Sequence, residues 1–303
     1  MNYNNLPNLD ETVVSALDFF IKNKPPRLSL KSFSLPLVVG SGNAFNTAHI
    51  IFSGQPAIIG NESNFKTILS GYKKLIKNKI IDRAIVISAS GEKDSVWEVK
   101  FAKKSGLKTT LLTCNAESTA AKLADQVIVY KKLPEPYTYN VSTYLGIILS
   151  ANQEEARGIK EYISKLKIAK DFKKYTSYSF ILPDEFSAVA PMLEIKRNEL
   201  FGPYISLRAF SFGEARHAKF VNNSDKELVV SFGENKYFGN PGNRLEIKIP
   251  KNAGSSFIMA LSYYLIGKIQ SVKPAYFKKN IAAFCKNGPK AYGSTKPFSV
   301  VVE

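Results

Sequence analysis

Short apolar runs alternate with amphipathic segments along most of the chain, and this alternation predicts the secondary structure. The runs at 35–40, 55–60 and 84–88 are rich in β-branched residues and end at glycine or serine, which is typical of buried strands. Each is followed by a stretch in which apolar residues recur every three or four positions, the spacing of a surface helix. Further strands are predicted at 109–114 and 126–130. Strands that alternate with helices predict a parallel, doubly wound α/β sheet with sites at the carboxyl ends of its strands.

The alternation begins again after residue 175, as in a second copy of the first unit. Strands are predicted at 177–183, 205–212, 227–233 and 245–250, and helices at 186–201, 255–272 and 275–288. The polar segment before them reads as a connector between domains. We therefore predict a helical arm at 1–34, a first domain at 35–155, a connector helix at 156–175, a second domain at 176–290 and a tail at 291–303.

The chain is strongly basic, with a formal net charge of +17 over 303 residues. A positive field of this size attracts anions such as phosphorylated metabolites or nucleic acid. The lysines are spread in pairs along amphipathic segments and are not gathered into one arm with interleaved aromatics, so we expect no nucleic-acid partner. No apolar run approaches the ~20 residues that cross a bilayer, and acids stand among the first twenty residues, so we expect a cytoplasmic protein without a membrane partner.

Three residues with reactive side chains have ordinary structural interpretations. Cys114 and Cys285 lie far apart without metal-ligand spacing, so we expect free buried thiols and predict no metal site. His49 lies on the first apolar helix, where a core or interface histidine is the favoured interpretation.

Two predicted strand-to-helix loops carry groups that suit an anion. The loop at 40–43 presents backbone amides at a helix start, although a tight turn needs glycine for steric reasons as well. The loop at 88–95 adds three hydroxyls, the amides after a glycine and one lysine, so it can hold a phosphate without a metal. The structural alternative for the second loop is a hydroxyl-rich helix cap.

These loops resemble those of sugar isomerase (SIS) domains. Residues 87–106 resemble the SxSG-x-[ST]-x-[DE] phosphate loop, residues 38–45 the first glycine loop, and residues 134–143 occupy the place of the "VAST" segment. The resemblance implies a flavodoxin-like sheet and a phosphosugar ligand. The residues it implies for substrate or phosphate binding are Gly42, Asn43, Ser88, Ser90, Gly91, Lys93, Ser95 and Ser142. The chain departs from the family at two positions: Lys93 stands where the family often has Thr or Ser, and Ala44 stands where it commonly has Ser.

The second half of the chain resembles the second SIS domain of tandem proteins, namely the isomerase half of glucosamine-6-phosphate synthase and the archaeal bifunctional phosphoglucose/phosphomannose isomerases. Asn198-Glu199 is similar to their "KE" or "NE" helix end, and residues 213–217 are similar to "GELKHGP" or "PELNHN". The match implies that Glu199 and His217 are catalytic, with two more residues between them than in those families. Lys296 is similar to a tail lysine of the synthase, offset by two places. This resemblance implies that the tail at 291–303 closes on the site and that Lys296 contacts the phosphate or the ring oxygen.

The resemblance implies a hexose 6-phosphate aldose–ketose isomerase that needs no cofactor. A base such as Glu199 moves a proton between C1 and C2 through a cis-enediol, and His217 suits ring opening. The alternatives are an amino-sugar-phosphate deaminase or isomerase and a non-catalytic phosphosugar sensor. Without the resemblance, Glu199 reads as a solvated residue of a basic helix and His217 as a packed loop histidine. Related enzymes lead us to expect a homodimer with a shared active site, and the sequence does not say which subunit supplies His217.

Overall fold

The structure is a computed structural model that describes residues 3–218 and 223–303. The chain divides into two compact units. The first unit comprises residues 22–133 and 142–153, and the second comprises residues up to 21, residues 134–141 and residues 154–303. The domain boundaries drawn from the sequence stay a prediction.

The helices and strands alternate as the sequence predicts. The α-helices of the described residues are α1 (Leu9–Lys22), α2 (Asn43–Ile51), α3 (Phe65–Gly71), α4 (Lys73–Lys77), α5 (Asp94–Lys104), α6 (Thr119–Leu123), α7 (Val141–Asn152), α8 (Ala156–Lys165), α9 (Ala190–Phe201), α10 (Phe212–Ala218), α11 (Ser255–Val272) and α12 (Tyr276–Asn287). The strands are β1 (Leu37–Gly40), β2 (Ile58–Gly60), β3 (Arg83–Ile87), β4 (Lys108–Thr113), β5 (Gln126–Val129), β6 (Glu135–Pro136), β7 (Ser177–Leu182), β8 (Ser206–Ser211), β9 (Glu227–Phe232), β10 (Arg244–Ile247) and β11 (Val301–Val302).

The first unit is built on a parallel sheet with the strand order β2-β1-β3-β4-β5. All four residues of β1 are buried, and Val39 and Val86 pack with Phe65 and Val99 from the flanking helices. Burial of each such side chain stabilises the fold by about 1.5–3 kcal/mol relative to exposure. The apolar strand runs therefore form the core that fixes the loops at the strand ends.

One predicted helix of the first unit is interrupted. The sequence pattern predicts a continuous helix over 65–81, whereas the structure has α3 and α4 with Tyr72 between them. Gly71 ends α3, and a glycine inside a helix costs about 1 kcal/mol relative to alanine. The helical periodicity continues across this break, so the hydrophobic pattern alone does not reveal it.

The second unit is built on a parallel sheet with the order β10-β9-β7-β8. Helices flank it as they flank the first sheet, and the predicted α/β fold with two parallel sheets is confirmed. β6 and β11 form a separate antiparallel pair in which Pro136 faces Val301 and Glu135 faces Val302. The pair brings the end of the chain to the 134–141 segment of the same unit. Of the helices in the described ranges, none combines the length and the apolar character needed to span a bilayer.

Candidate functional site

The order of strands in the first sheet reverses between β1 and β3. From β1 the chain moves to β2 at one edge and then returns to β3, β4 and β5 on the other side. Ligands of doubly wound sheets bind in the crevice at such a switch point, beyond the carboxyl ends of the strands. Gly40 pairs with Ile87, so the loops that follow β1 and β3 leave the sheet side by side. We call these segments, residues 40–43 and 88–95, the switch-point loops.

A hydrogen bond joins the switch-point loops. The Ser41 hydroxyl donates to a carboxylate oxygen of Asp94 at 3.2 Å. The other Asp94 oxygen accepts from the Trp97 indole N–H at 3.3 Å. The structure therefore brings together the two loops whose motifs resemble the phosphate-binding segments of SIS domains.

The loop after β3 is held by its own hydroxyls. Ser88 Oγ accepts from the Gly91 N–H at 3.2 Å, Ser90 Oγ accepts from the Glu92 N–H at 3.3 Å, and Ser95 Oγ donates to the Glu92 carbonyl at 2.7 Å. Ser88 and Ser90 act here as acceptors, so each hydroxyl hydrogen is still available to a ligand. Ser95 is buried and its hydroxyl hydrogen is used inside the loop.

Gly91 occupies a position that accepts only glycine. Its φ is +64°, and a Cβ built there would lie 2.0 Å from Ser118 Oγ. The close approach of the Ser118 side chain to the Gly91 backbone packs the loop against the start of α6. The glycine of the SxSG motif is thus required for this local geometry.

The start of α5 carries charges of both signs. Lys93 directly precedes the helix, and loss of hydration against the neighbouring loop lowers its pKa while the carboxylate of Asp94 opposes that change. Asp94 lies in the first helical turn, where its negative charge competes with any anion that the helix N-terminus attracts. A phosphate at this position would therefore need the positive charge of Lys93 to offset the negative charge of Asp94.

The start of α2 leaves one buried acceptor unused. Gly42 precedes the helix with φ +56°, and Asn43 follows it with 8% of its surface exposed. Within the described part of the chain, Asn43 Oδ1 is buried and accepts no hydrogen bond. A buried acceptor of this kind is costly, and a hydroxyl of a bound ligand would satisfy it. Ser142, by contrast, is buried on α7, and its hydroxyl accepts from the Leu133 N–H at 2.9 Å.

Glu199 lies near the end of α9 in the second unit and forms a buried ion pair. Its carboxylate is 2.6 Å from the ammonium of Lys196, which is itself completely buried. Burial raises the pKa of Glu199, and the charge and hydrogen bond of Lys196 oppose that rise. The ammonium also donates to the Thr138 carbonyl at 2.5 Å and lies 5.4 Å from the centre of the Tyr263 ring.

Lys196 is a functional candidate that the sequence reasoning missed. The signal was present, because Lys196 and Glu199 are three residues apart and therefore lie on the same face of a helix. The sequence alone also allowed Glu199 to be a solvated residue of a basic helix. That interpretation is wrong, because the Glu199 side chain is only 20% exposed.

His217 and Glu214 lie on the short helix α10. His217 is exposed, and residues 219–222, which follow it closely, lie outside the described residues. Glu214 accepts from the Ser211 N–H at 2.8 Å, and Ser211 Oγ accepts from the Glu214 N–H at 3.2 Å. This reciprocal pair is a capping box, so the glutamate of the "GELKHGP"-like motif starts the helix. The catalytic role of His217 stays a prediction.

The remaining candidates are at the surface or in structural contacts. Lys296 is exposed in the tail, where its backbone N–H donates to Ser294 Oγ at 3.3 Å. His49 is exposed on α2 and packs edge-on against Phe45 with ring centroids 4.5 Å apart, so the core interpretation of His49 is wrong. Cys114 and Cys285 form no disulfide with each other; Cys285 is buried as expected, whereas Cys114 is only partly buried. Among residues 3–218 and 223–303, no group of three or more histidine, cysteine or acidic side chains has the arrangement of a metal site.

Comparison with known proteins relates this architecture to proteins of phosphosugar metabolism. No protein-family profile matches the sequence. No curated protein matches it. Among solved structures, the C-terminal domain of glucosamine-fructose-6-phosphate aminotransferase from Francisella tularensis superposes with a TM-score of 0.59 at 15% identity, over 89% of this chain and 94% of that one.

Two further structures with named activities show the same likeness. Glucosamine-6-phosphate deaminase from Thermotoga maritima has a TM-score of 0.55 at 17% identity, over 87% of this chain and 92% of that one. Tagatose-6-phosphate ketose/aldose isomerase from Escherichia coli has a TM-score of 0.54 at 13% identity, over 86% and 87% of the two chains. The chain therefore has the tandem SIS fold, and the resemblance seen in its motifs is confirmed at the level of the fold.

Proposed function

We propose that this protein binds a sugar phosphate and interconverts the aldose and ketose forms of a hexose 6-phosphate. The observation that carries the proposal is the buried ion pair that Lys196 forms with Glu199, the glutamate that the motif resemblance marks as catalytic. The fold neighbours named as a deaminase of glucosamine 6-phosphate and an isomerase of tagatose 6-phosphate support the substrate class.

The switch-point loops bind the phosphate in this proposal. Ser88 and Ser90 donate their hydroxyl hydrogens, the backbone N–H groups of the first turn of α5 donate to the anion, and Lys93 supplies charge. Asn43 Oδ1 accepts a hydrogen bond from a hydroxyl of the ligand. This oxygen is buried and has no hydrogen-bond partner in the described residues. Lys93 thus compensates for the negative charge of Asp94 and replaces the family's hydroxyl.

Glu199 is the base that moves the proton between C1 and C2. A carboxylate with an ordinary pKa is a weak base near neutral pH, and burial raises the pKa of Glu199 toward the range where base catalysis is efficient. The Lys196 ammonium opposes that rise, because its positive charge favours the ionised carboxylate. The same ammonium stabilises the negative charge that develops on the enediol oxygen. His217 is proposed for ring opening, and Lys296 for a contact to the phosphate or the ring oxygen.

The test is turnover of fructose 6-phosphate against glucose, mannose and glucosamine 6-phosphates. We expect turnover of at least one pair and a loss of about 10²-fold or more in Glu199→Gln, the usual contribution of a general base. Glu194→Gln is the matched control, because Glu194 is exposed on the same helix and its amide would still accept from the Ala209 N–H. No turnover of any pair, or equal turnover in the two variants, would exclude the proposal.

A second candidate function is deamination of an amino sugar phosphate, which the likeness to the Thermotoga maritima deaminase favours. Release of ammonia from glucosamine 6-phosphate by the wild-type protein distinguishes it from simple isomerisation. Binding of these sugars in thermal-shift experiments without any conversion would instead identify a phosphosugar sensor.

We further propose that the active protein is a homodimer in which His217 and Glu199 of one site come from different subunits. Mixing Glu199→Gln with His217→Ala protomers tests this. Restored turnover in the mixture supports a shared site, and a mixture as inactive as its components contradicts it.

A further inference from the structure

The turn at residues 137–140 of the second unit has an unusual backbone. Thr138 has φ +75° and Asn140 has φ +50°. A β-branched residue in this region is a steric outlier that persists only where the surrounding structure imposes it. Thr138 Oγ1 is also buried with no hydrogen-bond partner among the described residues. Strained backbone of this kind is concentrated at functional sites, where contacts of the surrounding structure maintain it and it positions functional groups.

The conformation of the turn orients the Thr138 carbonyl toward the Lys196 ammonium. The ammonium donates to this carbonyl at 2.5 Å and to Glu199 at 2.6 Å, and Asn140 Nδ2 donates to the same carbonyl at 3.3 Å. The Tyr139 hydroxyl, one residue further along, donates to the Pro7 carbonyl at 2.9 Å. Within residues 3–218 and 223–303, the Thr138 carbonyl is therefore one of two oxygen atoms that accept from the fully buried Lys196 ammonium.

The end of the chain fixes the other side of this turn. We call residues 298–302 the tail strand. The Tyr137 N–H donates to the Val300 carbonyl at 2.7 Å, and the Tyr137 ring stacks on Phe298 with centroids 4.9 Å apart and planes 14° apart. The antiparallel pairing of β11 with β6 continues the contact, and the Phe298 N–H donates to the Cys285 carbonyl of α12 at 3.0 Å.

We propose that the tail strand is a positioning element for Glu199, acting through Tyr137, the Thr138 carbonyl and Lys196. The tail strand holds Tyr137, Tyr137 holds the strained Thr138, and the Thr138 carbonyl fixes the ammonium that pairs with the carboxylate. The expected effect on kcat rests on the proposed isomerase function, whereas the expected effect on the titration of the Glu199 carboxyl does not. Phe298 is thus a positioning residue, and it is distant in sequence from Glu199 and His217.

The proposed coupling between the tail strand and Glu199 acts through the buried Lys196 ammonium. An ammonium carries three donors, and a buried charge is tolerated only when it is paired and hydrogen-bonded. Release of the tail strand lets Thr138 relax, so the Lys196 ammonium loses one oxygen acceptor and is no longer held in place beside Glu199. The ammonium then opposes the burial of the carboxylate less, and Glu199 takes up its proton at a higher pH.

The titratable groups around this carboxylate come from several elements. They are Lys196 on α9, Tyr137 and Tyr139 of the turn, Tyr263 of α11, whose ring lies over Lys196, and Cys285 of α12, which lies close to Tyr137. Burial raises the pKa of Tyr137 and of Tyr139 above the ordinary value, so both phenols stay neutral during a titration between pH 4 and 9. The neutral phenols leave Lys196 as the charge that responds to the tail strand.

The test is a titration of the Glu199 carboxyl by carbon NMR in the full chain, in a chain that ends at Pro297 and in Phe298→Ala. The resonance is assigned by its loss in Glu199→Gln. We expect the midpoint of the Glu199 titration to rise in the shortened chain and in Phe298→Ala, and to stay in place in Phe298→Tyr. Val301→Ala is the control, because the Val301 side chain is 42% exposed and its backbone pairing is kept.

An unchanged midpoint in Phe298→Ala would overturn the proposal, and this variant decides the question if the shortened chain does not fold. The titration needs no substrate, so it stands even if no sugar phosphate is turned over. Where turnover is found, the acidic limb of the kcat profile should move to higher pH in Phe298→Ala by the same amount as the NMR midpoint, with little change in KM. A loss of activity without that move would indicate general damage and contradict the positioning role.

Discussion

Replacement of Lys196 by methionine probes the ion pair that the account depends on. Methionine is similar in volume to the lysine stem, so the change removes the charge and the hydrogen bonds while it leaves no large cavity. Lys196 is completely buried, and Glu199 keeps 20% of its side-chain surface exposed. Removal of one partner from a buried pair costs about 3–5 kcal/mol because it leaves the other charge buried and unpaired. The partial exposure of Glu199 places the expected loss at the lower end, ~3 kcal/mol.

The loss should depend on pH, because Glu199 escapes the penalty by taking up a proton. Burial without an opposing cation raises the pKa of Glu199 above its value in the unfolded chain. The folded state then binds more protons than the unfolded state, so stability falls as pH rises from the unfolded pKa toward the folded one. Lys196→Met should therefore be close to wild type at pH 4.5 and clearly destabilised at pH 8.

Thermal unfolding at the two pH values measures this effect. A loss of ~3 kcal/mol lowers the Tm by about 6–12 °C at a sensitivity of roughly 2–4 °C per kcal/mol. Lys196→Met combined with Glu199→Leu should recover much of the loss at pH 8, since no unpaired charge remains. Equal destabilisation at both pH values, or no recovery in the double variant, would refute the ion-pair reasoning.

Three further predictions concern the first unit. Gly91→Ala should lower stability by about 1–3 kcal/mol in urea unfolding, because the added Cβ would lie 2.0 Å from Ser118 Oγ at a positive φ; wild-type stability would contradict this. Burial and the nearby carboxylates raise the pKa of Glu98 to about 8, so Glu98→Gln should match the stability of the wild type at pH 4.5 and exceed it at pH 9. A variant less stable than the wild type at pH 9 would contradict the raised pKa of Glu98. Lys93→Ala should weaken protection by inorganic phosphate in thermal shifts about tenfold, whereas Lys100→Ala, exposed later on α5, should not.

The order of strands and helices was predictable because the periodicity of apolar residues is a local property. The runs that became β1, β3 and β7 are buried on both faces, and such runs are recognised without knowledge of their neighbours. The turn at the glycine of the SxSG motif was predictable for a similar reason, since the positive φ at Gly91 favours glycine over other residues. The capping box of Ser211 and Glu214 also has a local sequence signature, an S-x-x-E pattern at a helix start.

The contacts that complete the candidate site were not predictable, because they join residues that are far apart in the chain. Lys196 donates to Thr138, 58 residues away, and Tyr137 stacks on Phe298. A lone lysine in the basic stretch around 196 carries no signal of burial, since most lysines of a chain with this charge are solvated. Only the packing of the second unit shows that this particular lysine is enclosed and must be paired.

Incorporation of deuterium from heavy water into fructose 6-phosphate tests the central claim most directly. Proton NMR follows the loss of one hydrogen at C1, which exchanges whenever an enediol forms, whether or not the aldose is released. The account predicts exchange with the wild-type protein and with Glu194→Gln, and a loss of about 10²-fold or more in Glu199→Gln. Absence of exchange with the wild-type protein, or equal exchange rates with Glu199→Gln, would contradict the assignment of Glu199 as the base of a phosphosugar isomerase.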